Sequence, residues 1–436
     1  MSKENNLKDF LTDVADAIRE KKGTTDLISP LDFSDEIKGI KSEPTKVPVK
    51  DVIFIDHEGE ILYSYTKDEF LQLEAMPNLP TKKGLICQGW NYEYDEAIDY
   101  VSNYGMLHIG ATYITDDGKT RLYIRIETDG RMNVPLYFYQ TVANGVSIDW
   151  GDGSALQTLE GTGNVNTFHL YESVGDYCIT LEVLDECKME LGRNSSYGVL
   201  GSTSSSNAVY SNMLKRVEIG DKVTLIRAGT FMNCYSLISV TIPQNITAIN
   251  NEAFTDCSSL YSIVIPKGAT SVSSFSRANS LLYVSIPSSI TAFNNYMFIQ
   301  CSSLRAVSIP SGITNIRQSC FYECYSLARV SIPDSLVYVY DHTFYNCHSL
   351  ASIIVPPSVK YIYTYSFYWC NGLAYIDFSK HTSVPYVEDS DVFYGLSSDC
   401  KIIVSDAMYE QWIAATNWSA LSSKIIKKSD WDASRS

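Results

Sequence analysis

Apolar residues in the first 45 residues recur at helical spacing and predict a helical segment. The main stripe consists of Leu7, Phe10, Leu11, Val14 and Ile18. A segment this short cannot bury such a stripe by itself, so we expect it to pack on a partner and to serve anchoring or oligomerisation. The partner is another copy of the chain, with a trimeric bundle as one form, another protein, or the chain's own next domain in a docked helical hairpin.

Residues 46–130 show shorter alternating stretches, which predict a small α+β domain. Residues 51–65 are expected to form two strands joined by a Glu-Gly turn. Thr66 and Glu69 have the spacing of a capping box that opens a helix. Residues 112–126 contain an Asp-Gly pair between two apolar runs and predict a β-hairpin within this domain.

Residues 131–191 alternate like the strands of a β-sandwich and contain two distinctive stretches, SIDWGDGS at 147–154 and YESVGDYCITLEV at 171–183. Both stretches are similar to the hallmarks of a polycystic-kidney-disease-type immunoglobulin-like domain. The resemblance implies a tight turn beside a core tryptophan, followed later by a central strand. The matching residues are Asp149, Trp150, Gly151, Asp152, Gly153, Gly175 and Tyr177.

Two alternatives remain open for this region. Aspartates next to glycines are compatible with a calcium site, but their oxygens more often accept hydrogen bonds from their own turn amides, so no metal is predicted. Residues 192–214 are rich in Gly and Ser and predict a linker or a long surface loop.

The second half of the chain is an internal repeat over residues 215–399. An Ile-Pro pair recurs every 23 residues, with one interval of 21, and in the same register a Phe is followed by Cys three residues later and Leu six residues later. The phenylalanines are Phe231, Phe254, Phe298, Phe321, Phe344 and Phe367. In the short unit, Ser276 and Asn279 are predicted to occupy the Phe and Cys positions, with Leu282 in the Leu position.

One such unit cannot close a core, whereas stacked units share a continuous one. The cysteines are then expected to form a ladder of small buried side chains. Neighbouring rungs could form disulfide bridges, but reduced thiols are the expectation for a chain that folds in the cytosol.

This pattern is similar to the BspA-type leucine-rich repeats of bacterial and protist cell surfaces. The resemblance implies a curved, non-catalytic solenoid that binds proteins or glycans. Residues 400–436 are expected to cap its last repeat with Trp412 and Trp418. The predicted fold is therefore multidomain and mainly β, with a helical segment, a small α+β domain, an immunoglobulin-like β-sandwich and a capped solenoid.

Tyrosines are the main candidates for ligand binding in the repeats. Because Val339 and Ile362 are expected to point inward, the residues on either side of each should point outward. The predicted site residues are Tyr338, Tyr340, Tyr361, Tyr363, Tyr365 and Tyr368. Aromatic rings offer contact area at low entropic cost and can stack on sugars. The alternative is that some of these rings only pack over the edge of the solenoid.

Composition narrows the function. A net charge of −16 argues against nucleic acid or an anionic membrane as a partner. No apolar run is long enough to span a bilayer, and the polar start lacks the apolar core of a secretory signal. Six histidines show no metal-ligand spacing, and no catalytic triad or paired-carboxylate motif is present. We therefore expect no enzyme activity, no cofactor and no membrane insertion.

A second resemblance covers about residues 1–126. The opening ENNLKDFLTDVADAIREKKGTTDLISPLDFSDEI, with the later stretches ILYSYTKDEF, GLICQGWNYEYDEA and IGATYITDDGKTRLYI, is similar to phage virion proteins from gut bacteria. It implies a head-fibre, tail-fibre or collar protein, made in the host cytoplasm and incorporated into the virion. Its partners would be other virion proteins, itself, and a host-surface protein or glycan. The alternatives are a bacterial surface adhesin and a purely structural virion protein without a host ligand.

Overall fold

The computed structural model describes residues 50–194, 196–203, 209–272 and 274–435. The predicted oligomerisation residues Leu7, Phe10, Leu11, Val14 and Ile18 lie outside this part of the chain. Across the described residues the protein is mainly β, with few helices, and it ends in a solenoid of the leucine-rich-repeat type.

The first described unit is a four-stranded sheet with two helices. Its elements are β1 (Val52–Ile55), β2 (Ile61–Tyr65), α1 (Lys67–Leu71), β3 (Leu85–Trp90), α2 (Tyr94–Tyr104) and β4 (Leu107–Thr115). The strand order is β2-β1-β4-β3, with β1 and β4 parallel and the outer strands antiparallel to them. The predicted capping box is confirmed, because Thr66 and Glu69 exchange side-chain to backbone hydrogen bonds at the start of α1. We call this unit the small domain.

Two further sheets enclose a second apolar core. Their strands are β5 (Thr120–Ile126), β6 (Asn133–Gln140), β7 (Val146–Asp149), β8 (Gly163–Leu170), β9 (Gly175–Val183), β10 (Met189–Leu191), β11 (Tyr197–Gly198), β12 (Gly201–Ser202), β13 (Leu214–Glu218), β14 (Val223–Ile226) and β15 (Ser239–Thr241). One sheet has the order β14-β10-β6-β8 and the other β15-β13-β5-β9-β7, while β11 and β12 form a small hairpin. Alternate apolar residues of both sheets join one cluster, so this part is a β-sandwich.

The hairpin predicted over residues 112–126 is wrong. The chain does turn between β4 and β5, but β4 pairs with β1 and β3 whereas β5 pairs with β9 and β13. The two strands diverge because Leu122, Ile124 and Ile126 of β5 are buried in the core of the sandwich. The second predicted strand therefore belongs to the sandwich.

The described residues within 192–214 pack into the fold and do not form a free linker. Val199 and Leu200 are almost completely buried in the sandwich core. The backbone of Val199 also accepts a hydrogen bond from Tyr137 and donates one to Thr230, at 2.9 and 2.8 Å. This segment thus joins the sandwich to the first repeat, although its Gly and Ser content is typical of a linker.

The solenoid has short parallel strands on two sides. The first side continues from β15 through β16 (Ser262–Val264), β17 (Tyr283–Ser285), β18 (Ala306–Ser308), β20 (Arg329–Ser331), β22 (Ser352–Ile354), β24 (Tyr375–Phe378), β26 (Lys401–Val404) and β27 (Ile425–Lys427). The second side contains β19 (Asn315–Ile316), β21 (Tyr338–Val339), β23 (Tyr361–Ile362) and β25 (Tyr386–Val387). Both sheets of the sandwich continue into it, since β13 pairs with β15 and Ile226 of β14 bridges to Ile249.

A stack of phenylalanine rings runs through the core of the solenoid. Neighbouring ring centroids are 5.2–5.7 Å apart. The stack consists of Phe231, Phe254, Phe275, Phe298, Phe321, Phe344, Phe367 and Phe393. The register predicted for the short unit is wrong by one residue, because Phe275, Ala278 and Leu281 are the buried residues. Phe393 adds a rung that the 23-residue spacing did not predict.

The repeat cysteines are free, buried thiols with a specific partner. Each of five thiols donates to the backbone carbonyl of a phenylalanine in the preceding unit, at 2.9–3.1 Å. The donors are Cys257, Cys301, Cys324, Cys347 and Cys370. The cysteine ladder is therefore both an apolar layer and a set of hydrogen bonds between repeats.

Beyond residue 400 the chain extends the first sheet before it ends. β26 pairs with β24, and β27 pairs with β26, so two more strands are added. Trp412 and Trp418 are buried, with ring centroids 4.5 Å apart. Both pack against Phe378 at the end of β24, and Trp418 also packs against Phe393. The remaining helices are α3 (Tyr409–Ala414) and α4 (Lys428–Ala433), and short 3-10 helices lie at Asp129–Arg131, Ser211–Met213, Ser390–Phe393, Asp406–Met408 and Ser419–Leu421.

The small domain lies on the outer face of the first sheet of the solenoid. A serine from each of four repeats donates to one of its backbone carbonyls. These pairs are Ser262 with His57, Ser285 with His108, Ser308 with Met106 and Ser331 with Tyr104. In return, three of its side chains donate to the carbonyls of the Ile-Pro pairs: Asn91 to Ile265, Tyr92 to Ile286 and Tyr100 to Ile309. One face of the solenoid is thus occupied by the chain itself.

The hydrogen bond from each cysteine should make a measurable contribution to stability. We expect Cys347→Ala to lower the free energy of unfolding by about 1–3 kcal/mol, because it leaves a small cavity and removes the donor to the carbonyl of Phe321. Urea unfolding measures the change. The control is Cys87→Ala in the small domain, where the side chain is only partly buried and the substitution should cost less than about 1 kcal/mol. Equal effects of the two substitutions would contradict this role.

Burial at the domain interface also predicts a pH dependence. Burial lowers the pKa of His108 to about 4, whereas an imidazole in an unfolded chain has a pKa of about 6.5. The unfolded state therefore takes up a proton first, and the free energy of unfolding should fall by roughly 3 kcal/mol between pH 7 and pH 4 from this residue. Chemical unfolding across that range should show a smaller decrease for His108→Gln, while His348→Gln at an exposed site should keep the wild-type decrease.

Candidate recognition surface

The second side of the solenoid carries a patch of stacked tyrosines. In β21 and β23 the alternation of the strand buries Val339 and Ile362 and turns the tyrosines beside them outward. Since the strands pair in register, Tyr338 lies over Tyr361 at 5.0 Å and Tyr340 over Tyr363 at 5.3 Å, with rings parallel to within 9°. Tyr386 of β25 extends the row, 6.2 Å from Tyr361. We call these five residues the tyrosine face.

A second row of tyrosines follows the turns of the repeats. It arises because a tyrosine comes one residue after successive core phenylalanines. Its members are Tyr322, Tyr345, Tyr368 and Tyr394, with ring centroids 4.7–5.1 Å apart. Tyr365 lies edge-on to Tyr368 at 5.1 Å. We call this row the turn ladder.

The structure therefore places the six predicted tyrosines in two groups. Four belong to the tyrosine face, Tyr368 belongs to the turn ladder, and Tyr365 lies edge-on to Tyr368 beside that ladder. Sequence reasoning missed Tyr386 and Tyr394, which are 52% and 53% exposed. Their spacing from the preceding repeat is 25 and 26 residues, so only the residue types around them, Pro-Tyr-Val and Val-Phe-Tyr, could have indicated their register.

Stacking determines what these rings can present to a ligand. Tyr345 and Tyr368 each lie between two near-parallel rings, whereas Tyr361 is stacked by Tyr338 on one side and meets the ring of Tyr386 at an angle of 55° on the other. The four central hydroxyls of the tyrosine face, on Tyr338, Tyr340, Tyr361 and Tyr363, have no hydrogen-bond partner among the described residues. Where the rings are stacked, the surface consequently offers ring edges and hydroxyl groups.

Acidic residues border the tyrosine face. The backbone amide of Thr364 donates to Glu388 at 3.0 Å, and its hydroxyl donates to Glu388 and Asp389 at 2.8 and 2.7 Å. Burial and the nearby charge of Glu388 raise the pKa of Asp341. This border is therefore negatively charged, and a partner with basic groups would match it.

The aspartates of the sandwich turn are already engaged. Asp149 accepts from the amide of Gly151 at 2.9 Å, and Asp152 accepts from the amide of Ser154 at 3.0 Å and contacts His169 at 2.6 Å. Burial raises the pKa of Asp152, but the bonds from Ser154 and His169 outweigh it and lower the pKa to about 2. These contacts support the interpretation that the carboxylates stabilise their own turn.

The described residues show little that resembles catalytic chemistry. Among them, no group of three or more histidine, cysteine or acidic side chains has the geometry of a metal site. Burial raises the pKa of the repeat thiols, including Cys347 and Cys370, so these thiols are poor nucleophiles. Within the same part of the chain, every helix is too short or too polar to cross a membrane.

Comparison with known proteins identifies the repeats. Two segments, 202–305 and 271–399, match the family model described as the BspA type leucine rich repeat region, in six copies. The solenoid is therefore built from BspA-type leucine-rich repeats, which account for somewhat less than half of the chain. No curated protein matches the sequence significantly.

Several solved structures are similar to part of this chain, with low sequence identity and low TM-scores. A leucine-rich repeat protein from Bacteroides ovatus has 20% identity and a TM-score of 0.26, over 50% of this chain and 86% of that one. A leucine rich cell surface protein from Faecalibacterium prausnitzii has 24% identity and a TM-score of 0.32, over 50% of this chain and 65% of that one, just under two thirds of its length. The Treponema pallidum leucine-rich repeat protein has 20% identity and a TM-score of 0.30, over 38% and 75%.

Proposed function

We propose that this protein is a non-enzymatic recognition scaffold that binds a partner through the tyrosine face. The observation that carries the proposal is the pre-stacked array of four tyrosines on paired strands, with hydroxyls that no described residue engages. Stacking holds the side chains in place before binding, so little conformational entropy is lost when a partner docks. The opposite side of the solenoid is covered by the small domain over four repeats, which leaves this side for recognition.

The arrangement favours a protein partner over a sugar at this surface. A sugar ring would stack on an open aromatic face, whereas the Tyr338–Tyr361 and Tyr340–Tyr363 stacks each use one face of both of their rings and leave hydroxyls and ring edges along the row. A protein partner can instead accept and donate hydrogen bonds to the row of hydroxyls and pack on the ring edges. The acidic border formed by Glu388 and Asp389 adds a preference for a partner with basic side chains.

For the location, we propose the bacterial cell surface ahead of the virion. The matched repeat family is the BspA type, which the sequence analysis associates with bacterial and protist surfaces. The virion hypothesis rests on the resemblance of residues 1–126, a segment that lies outside the matched repeats. It remains the second candidate, with the solenoid facing outward from a fibre or collar, or packed on other virion proteins.

Two matched variants test the tyrosine face. The variant with Tyr338, Tyr340, Tyr361 and Tyr363 changed to Ala should lose at least about tenfold in affinity for host cells or surface protein extracts, because it removes both contact area and hydroxyls. Changing the same four residues to Phe keeps the stacks and isolates the hydroxyls, so an intermediate loss is expected. Flow cytometry with labelled protein measures binding, and thermal unfolding controls for folding. Unchanged binding by a folded alanine variant would remove this surface as the site.

Location is tested by immunogold electron microscopy with antibody against residues 215–427. Gold on the surface of cells that carry no phage, with unlabelled particles, is the expected result. Gold at fixed positions on purified phage particles, with unlabelled cells, would reject the surface proposal in favour of the virion. The measurement is independent of the tyrosine variants, since either location is compatible with recognition.

A further inference from the structure

The outermost strand of one sandwich sheet, β8, pairs on one side only. It lies beside β6 along its whole length, without a register shift. Just beyond β8 the amide of Tyr171 donates to the carbonyl of Met132 at 3.0 Å, so every second residue back from Tyr171 hydrogen-bonds to β6. Pro135, which has no N–H, lies opposite Phe168 and fits this alternation, because that pair exchanges no hydrogen bond.

The residues in between direct their backbone N–H and C=O groups away from the sheet. These residues are Asn164, Asn166, Phe168 and Leu170. None of their backbone groups has a hydrogen-bond partner among the described residues. Gln157 approaches β8 from the inner side, where its side chain donates to the hydroxyl of Thr167 at 2.9 Å and leaves this backbone row unbonded. We call the four residues the free edge.

The chain closes other sheet edges with its own residues. At β7, the edge of the second sandwich sheet, the backbones of Ile148 and Gln157 exchange hydrogen bonds at 2.8 and 2.9 Å. At β25, the edge of the second solenoid sheet, the side-chain amide of Asn417 donates to the carbonyls of Val387 and Glu388, both at 2.9 Å. The free edge receives no such closure from a described residue, so its hydrogen-bonding groups are left for a partner from outside the chain.

The free edge also lacks the features that keep edge strands from pairing. Natural edge strands are usually protected by lysine, proline or a β-bulge. The sequence of β8, GNVNTFHL, contains no Lys, Arg, Asp, Glu or Pro, and its pairing with β6 has no bulge. Phe168 and Leu170 are 52% and 68% exposed on its outer face. An unprotected edge of this length with apolar side chains favours addition of another strand.

A second copy of the chain presents the same row and can satisfy it through a two-fold axis, the commonest symmetry of protein dimers. In an antiparallel register centred on Thr167, Asn164 lies opposite Leu170 of the second copy and Asn166 lies opposite its Phe168. Each of these pairs exchanges two hydrogen bonds, so both free edges are fully used. Any shift of the register leaves at least one residue of each edge unpaired.

The side chains are compatible with this register. The two Phe168 side chains become diagonal neighbours across the axis, at a distance that aromatic rings can bridge. No like charges face each other, because β8 contains no Lys, Arg, Asp or Glu. This matters in a chain of net charge −16, where two copies repel each other over most of their surface.

We propose that β8 pairs with β8 of a second copy, so that two four-stranded sandwich sheets join into one continuous sheet across a homodimer. This interface goes beyond the proposed function, because it shares no residue with the tyrosine face. It is also distinct from the oligomerisation predicted for Leu7 to Ile18, and the two can be tested separately.

The first test uses a cysteine on the proposed axis. Thr167→Cys places two thiols opposite each other at a Cα separation of about 4.5 Å, which a disulfide can span. The matched control is Asn164→Cys, whose two thiols would lie roughly 20 Å apart in the same register. Full-length protein is incubated with oxidised glutathione and run on non-reducing gels. Thr167→Cys should give a disulfide-linked dimer, and Asn164→Cys should give no more than the wild-type background. Equal cross-linking at both positions, or none above background at Thr167→Cys, would overturn the proposal.

The second test removes one hydrogen-bond donor from the free edge. Asn166→Pro deletes an N–H that points away from β6, whereas Asn166→Ala shortens the side chain and keeps that N–H. Sedimentation of the full chain over a range of concentrations should show an association at least about tenfold weaker for the proline variant than for the alanine variant. Thermal unfolding controls for folding. The alanine variant of the tyrosine face should associate like the wild type. A monomeric wild-type protein, or equal association of folded Asn166→Pro and Asn166→Ala, would reject the β8 interface without affecting the tyrosine face.

Discussion

The stack of core phenylalanines is the interaction on which the rest of the structure depends. Each ring packs against the rings of the neighbouring units at 5.2–5.7 Å, so no repeat can bury its own ring alone. The short unit shows how strictly the stack is kept, because the outer turn loses two residues while Phe275 stays in place. The core stack is therefore kept while the length of the outer turns can vary.

The same stacking that builds the core also organises the outer surface. Parallel strands in register bring equivalent positions together, so a tyrosine that recurs every 23 residues must stack on its counterpart. A row of stacked tyrosines is stiff and offers edges and hydroxyls, which suits a protein partner.

The small domain covers one face of the solenoid, and the sequence of a single repeat does not indicate this contact. Serines on the first sheet donate to its carbonyls, and Asn91, Tyr92 and Tyr100 donate to the solenoid in return. The serine series ends at the next repeat, where Ile354 is 57% exposed at the equivalent position. The domain thus covers the stretch of sheet whose side chains match it, and the other side of the solenoid stays open.

The sequence by itself determined the period, the inward Phe, Cys and Leu positions and the outward direction of Tyr338 and Tyr361, because a local repeat repeats its environment. Only the tertiary structure decided where periodicity gives no signal. β5 pairs with β9, about 50 residues later, and this distant pairing places it in the sandwich. Phe275 takes the core position predicted for Ser276 because packing in the phenylalanine stack outweighs the spacing along the chain. One face of the solenoid is covered by a domain that lies about 200 residues earlier in the sequence. These outcomes depend on long-range pairing and packing, which local patterns do not encode.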